Sequence, residues 1–250
     1  MVQSKSKLLI AILLAIFVRA PLAQLTIGAA SELKPTLEEI RRLYTERTGN
    51  PVRTTYAPPT TLLDRASKGG IDCIIGPSES IELARAHGLS DQSGIFLGTS
   101  PIIAWSRQGK ALPDSQLSFL LDSAIHGIVV SDPAQSPDGA RVHPFLEELG
   151  ADSAYRSRWR IAPDPLAAID TIMADRADAA ILPQSAFWSS AAAGIGRQLM
   201  LDSVRIAPQH TFGLVLKGPA ERQANAAEFL EWLRSPQCKG IWRRKGYIIP

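Results

Sequence analysis

The chain has 250 residues and a formal charge of +3, but the excess is carried by one end. Lys5, Lys7 and Arg19 lie in the first 23 residues with no acid, so the remaining 227 balance at 24 basic and 24 acidic residues. A neutral body excludes the global basic face that nucleic-acid binding needs, and 45 % hydrophobic residues with no low-complexity segment exclude a disordered chain.

The first element is a leader. Two lysines precede an uninterrupted apolar run, Leu8 to Val18, which has the length of a signal-peptide core and is too short for an ordinary bilayer span. Residues 1–23 therefore read as a signal peptide cut after Ala23, with Pro21 an unusual residue near the cut; an uncleaved anchor is the alternative. Export permits a disulfide between Cys73 and Cys238, although Cys73 sits in the apolar run IDCIIG and reads equally as a buried small hydrophobe. Two cysteines so far apart, without clustered histidines, give no metal signature.

After the leader, Ile, Val and Leu runs alternate with helical patterns, the sign of parallel βαβ units and an α/β fold. Leu25 to Gly28 is a strand, followed by a helix with Leu33, Leu37, Ile40 and Leu43 at helical spacing and Gly49 as its C′ residue. Val52 to Tyr56 is the next strand. Pro58 and Pro59 then break the chain, and Thr60 or Thr61 is expected to cap a helix reaching about Lys68. Ile71 to Ile75 is a third strand and SESIELARAHG a helix, after which Pro101 to Ser106 is extended and could carry the chain out of a first domain.

A second alternation follows. Leu117 to Ser123 reads as a short helix, His126 to Val130 as a strand, and Gly139 to Leu149 as a helix ended by Gly150. Arg160 to Pro163 is extended, Pro165 to Ala174 helical and Ala179 to Leu182 a buried strand. One or two strands lie between Gly194 and Gly218, and Arg222 to Arg234 is an amphipathic helix with Ala226, Phe229, Leu230 and Leu233 inward. The pattern suggests two lobes joined by two crossings, with 24–104 and 208–250 forming the first and 105–207 the second.

Catalytic patterns are missing: no G-x-S-x-G, no H-E-x-x-H and no glycine-rich phosphate loop. His87, His126, His143 and His210 are scattered. What stands out is a set of hydroxyl residues after strands, Ser31 after the first and Thr60 with Thr61 after the second. In an open parallel sheet ligands gather there, and the free N–H groups of a helix start can hold an anion; the same residues also serve as ordinary caps.

GAASELKPTLEEIRRLYTERTG, LLDRASKGGIDCIIGPS, ADAAILPQSAF and FLEWLRSPQCKGIWRRKGY together resemble the periplasmic molybdate-binding proteins, the substrate-binding components of ABC importers. The resemblance runs in order along nearly the whole chain after the leader. It implies a two-lobed periplasmic binding protein fold of type II, with mixed, mostly parallel sheets and two crossover strands. It also implies a monomer in the periplasm that holds a small molybdate- or tungstate-like oxyanion between its lobes for a membrane permease, without cofactor, metal or reaction. Carried over residue by residue, Ser31 matches the family's first hydroxyl donor, with the backbone of Ala30 beside it, and Thr60, with Thr61, stands where the family has a serine turn. Asp138 or Gly139 in PDGAR matches a backbone donor. Pro165 replaces a second backbone donor and Pro183 a tyrosine, so Arg141, with Gln184 and Ser185, is expected to rebuild the second-lobe half. A periplasmic sensor or accessory protein with an altered site is the competing reading.

Overall fold

The computed structural model describes residues 24–107, 125–149 and 157–250. The leader, the expected helix Leu117–Ser123 and Gly150 lie outside them. Ten strands form two five-stranded sheets among these residues. In the first, β1 (Leu25–Ala29), β2 (Val52–Tyr56), β3 (Cys73–Pro77), β4 (Ile95–Ser100) and β10 (Gln209–Val215) are ordered β2-β1-β3-β10-β4. The second uses β5 (Ile102–Ser106), β6 (Ile128–Ser131), β7 (Trp159–Ala162), β8 (Ala179–Pro183) and β9 (Arg197–Met200), ordered β7-β6-β8-β5-β9.

Both sheets are wound the same way. A central strand, β1 or β6, pairs in parallel with two neighbours, and a strand from the other half of the chain, β10 or β5, runs antiparallel beside them. The chain leaves the first sheet at β4, crosses at Pro101 into β5, and returns from β9 to β10. β4 was not foreseen as a strand, because IFLGTS carries little alternation and its pairing with β10 comes from more than 100 residues away.

Local chemistry sets the helices. After β1, a single 3-10 turn, Ser31–Leu33, leads into α1 (Lys34–Thr48), whose Leu37, Ile40 and Tyr44 are buried and which stops at Gly49 with φ 73°. That left-handed turn suits glycine because L side chains rarely adopt a positive φ, although the space around Gly49 is open. The helix α2 (Pro59–Ser67) starts on Pro58 with no side-chain cap, so the expected Thr60 or Thr61 cap is not made. Proline at the first helical position does the work instead, its fixed φ suiting a helix start. Next come α3 (Ser78–Ala86), α4 (Pro137–Leu149), α5 (Pro165–Met173) and the unforeseen one-turn α6 (Gln184–Trp188).

The closing helices α7 (Ala220–Trp232) and α8 (Pro236–Arg244) return to the first sheet. Phe229 and Trp242 are buried with Ile27, Leu37 and Tyr44 in one cluster that also contains Cys73 and Cys238. Both thiols are free, and burial raises the pKa of each. They contribute as small apolar groups of the core rather than as a crosslink. No helix among the described residues is long and apolar enough to cross a membrane.

Candidate functional site

The four loops that follow β1, β2, β6 and β7 converge on a single small cavity. Its walls are Ala30, Ser31 and Glu32, then Ala57, Pro58 and Pro59 from the first lobe, and Gln135, Ser136 and Pro137, then Pro163 and Asp164 from the second. The volume is about 50 Å³. Each contributing loop leaves the carboxyl end of a strand in the parallel part of its sheet, which is where this class of topology places ligands.

Ser31 presents a half-buried hydroxyl with no hydrogen-bond partner among the described residues. Beside it Glu32 is 8 % exposed, and Gln209 Nε2 donates to its Oε1 at 3.3 Å. Burial, and then the negative charges of Asp138 and Asp164, raise the Glu32 pKa to about 7; its own backbone N–H and the Gln209 amide offset part of the rise. Asp138 is 3 % exposed and accepts hydrogen bonds from Ser131 Oγ at 2.7 Å and from Ser136 Oγ. Burial raises its pKa too, against those hydrogen bonds. Asp164 caps α5, accepting from the Ala167 N–H at 2.9 Å.

Two features set the chemistry of this cavity. Among the described residues its wall carries two carboxyl groups, Glu32 and Asp164, with Asp138 behind it, and no cationic side chain. Pro59, Pro137 and Pro165 begin α2, α4 and α5, so three helices that start at the cleft lack an N–H at their first position. Among the described residues no group of three or more His, Cys, Asp or Glu side chains is placed to hold a metal ion.

Of the residues singled out from sequence, Ala30 and Ser31 line the cavity. Thr60 and Thr61 are exposed, and Thr60 lines a different groove with Leu63, Asp64, Ser67, Leu83, His87 and Leu89. The cause is the helix start at Pro59, which puts Pro58 and Pro59 on the cleft and turns the next residues away. Asp138 is buried behind the wall as a hydrogen-bond acceptor. Gly139 packs so tightly that a Cβ there would stand 2.4 Å from the Ser131 carbonyl oxygen, so it serves the close approach of α4 to β6.

Arg141 is committed elsewhere. Its guanidinium forms an ion pair with Glu79 on α3 of the first lobe, and Nη1 donates to the carbonyls of Pro208 at 2.6 Å and Ala207 at 3.4 Å. It thus ties α4 to the first lobe and to the returning crossover. Gln184 lies against the first crossover between the sheets: its N–H donates to the Pro101 carbonyl at 2.8 Å, and the Ser185 N–H to Ser100 Oγ at 2.9 Å. The residues missed from sequence are Glu32, Ser136 and Asp164. An acid in a first helical turn and an Asp before a proline both read as routine helix-start chemistry, so nothing local marked them as cleft groups.

Two sheets of matching winding, two crossings and a cavity between the lobes place the chain among known proteins. The family model described as bacterial extracellular solute-binding protein matches residues 25–248. The chain belongs to this family. Among relatives of these solute-binding proteins is the molybdate-binding protein ModA of Rhodobacter capsulatus, 20 % identical over 245 residues, covering 96 % of this chain and 94 % of the relative. Among solved structures, the periplasmic molybdate-binding protein of Azotobacter vinelandii matches with a TM-score of 0.78 at 22 % identity, over 91 % of this chain and all of that one. The sulfate-binding protein SubI of Mycobacterium tuberculosis matches with a TM-score of 0.72 at 14 % identity, over 91 % of this chain and 87 % of that one. The resemblance to molybdate-binding proteins read from the sequence and the type II two-lobed α/β fold both hold. Solute-binding proteins of this family are binders rather than enzymes.

Proposed function

We propose that the chain is a periplasmic solute-binding protein that captures a small oxyanion between its lobes and delivers it to the membrane permease of an ABC importer. The cavity is the observation that carries this reading. Loops of both lobes close on it, and its small volume, about 50 Å³, suits a small ion held from both sides rather than a peptide or an oligosaccharide. Relatives whose names specify molybdate and sulfate support the same ligand size.

Residues 24–104 with 208–250 act as one lobe and 105–207 as the other, and the protein works as a monomer without cofactor. Ser31 and the backbone at Ala30 contact the anion from the first lobe, and Gln135 and Ser136 from the second. A ligand touching both lobes favours the closed form by its differential contacts. The carboxyl-bearing, proline-rich wall favours one second reading, a periplasmic sensor or accessory protein whose cleft holds no free anion. A thermal-shift panel of molybdate, tungstate, sulfate, thiosulfate and phosphate on the mature protein separates the two. At 100 times its dissociation constant a true ligand stabilises by about 2.7 kcal/mol. A flat panel supports the accessory reading.

A further inference from the structure

The cleft of an oxyanion binder normally offers donors, yet the wall of this cavity holds Glu32, whose ionised carboxylate can only accept. Among the described residues no cation is placed against it. The groups facing Glu32 are Asp138 at the start of α4, Asp164 at the cap of α5, the Gln209 amide on β10 and, from the C-terminal segment, the buried Tyr247. An anion held in this space has an acceptor-only group in its wall, and the two can pair only through a hydrogen between them.

We propose that Glu32 makes anion capture proton-linked: the oxyanion is held with one hydrogen shared between its oxygen and the Glu32 carboxyl, which selects oxyanions that carry an O–H, of the hydrogenphosphate type, over fully deprotonated sulfate and molybdate. This rests on the oxyanion reading above. Two routes supply the hydrogen. An ionised Glu32 accepts it from an O–H on the ligand, or a protonated Glu32 donates it to a bare oxygen. Sulfate and molybdate have only the second route near neutral pH, so their capture must bring a proton onto Glu32. Hydrogenphosphate has its own, and needs none. A site built to pair with an O–H discriminates strongly against analogues lacking it, because the acceptor is otherwise left buried and unpaired. The position of Glu32 makes this discrimination effective: it is 8 % exposed, and an anion filling the cavity it lines displaces the water that could otherwise pair with it.

The test is isothermal titration of the mature protein with sodium sulfate, sodium molybdate and inorganic phosphate between about pH 6 and pH 9, on the wild type and on Glu32→Gln. In the wild type, sulfate and molybdate affinity should fall about tenfold per pH unit above about pH 7, with uptake of about one proton on binding in that range. Phosphate affinity should change by no more than about threefold from pH 8 to pH 9, since the ligand is there almost all hydrogenphosphate and keeps its hydrogen. Glu32→Gln always offers an N–H donor, so sulfate and molybdate affinity should become independent of pH and the preference for phosphate should disappear. Binding of all three anions with no pH dependence in the wild type, or the same slope in Glu32→Gln, overturns the proposal and leaves the oxyanion reading standing. If no anion binds either protein at any of these pH values, the oxyanion reading itself fails and the proposal with it.

Discussion

Replacing Glu32 by Gln should remove a definite part of the pH dependence of folding, apart from any ligand. The carboxyl has an ordinary value of 4.5 when exposed and about 7 in the folded chain, a rise of about 2.5 units caused first by burial and then by Asp138 and Asp164. At about 1.4 kcal/mol per unit this amounts to about 3.5 kcal/mol. The raised value means that the native state holds the proton more tightly than the unfolded state. The associated stability is therefore fully present below about pH 4.5, declines as pH rises toward about 7, and is absent above it. Gln keeps the size of the side chain and carries no charge. The variant should match the wild type below about pH 4.5 and exceed it by up to about 3.5 kcal/mol near pH 8. Asp138, also raised by burial, slopes in the same direction but is common to both proteins. Urea unfolding followed by tryptophan fluorescence at a series of pH values reads the difference directly. Parallel stability curves for the two proteins would refute the placement of Glu32 as a buried, acid-flanked group.

Other outcomes follow from the same contacts. Ser31→Ala should weaken the anion found by the thermal-shift panel about tenfold, taking about 1.5 kcal/mol for one hydrogen bond, as measured by titration. Arg141→Ala breaks the ion pair to Glu79 and the bonds to the 207 and 208 carbonyls, so small-angle scattering should show a more open average shape while direct anion contact is retained. An unchanged scattering profile would show that the Arg141 contacts do not hold the lobes together. Gly139→Ala drives a methyl into the Ser131 and Asp132 backbone and should cost at least about 1–3 kcal/mol of stability by denaturant unfolding. Cys73 and Cys238 should resist a thiol reagent in the native protein and react together on unfolding, since burial both shields each thiol and disfavours its thiolate.

Much of the architecture was legible in the chain because it rests on local patterns. Helical spacing of Leu37 and Ile40, the stop at Gly49, the strand Val52–Tyr56 and the inward face Ala226, Phe229 and Leu230 follow from periodicity and turn chemistry within a few residues. Ser31 was legible too, since its place after a parallel strand follows from the order of elements. What the sequence could not decide is which groups meet across the cleft. Thr60 and Ser31 both carry hydroxyls after parallel strands, yet one turn of α2 beginning at Pro59 sends Thr60 to another groove. Arg141 is a free cation on paper and becomes a tie between lobes only because Glu79 and the 207–208 carbonyls, more than 60 residues away in either direction, are brought to it. Glu32 and Asp164 carry no local mark beyond helix-start chemistry, and Asp138 is expected at the site only for its backbone N–H. Only the docking of two separately wound sheets brings Glu32 and Asp164 to one cavity wall with Asp138 behind it, where loss of water and the neighbouring negative charges raise the pKa of Glu32.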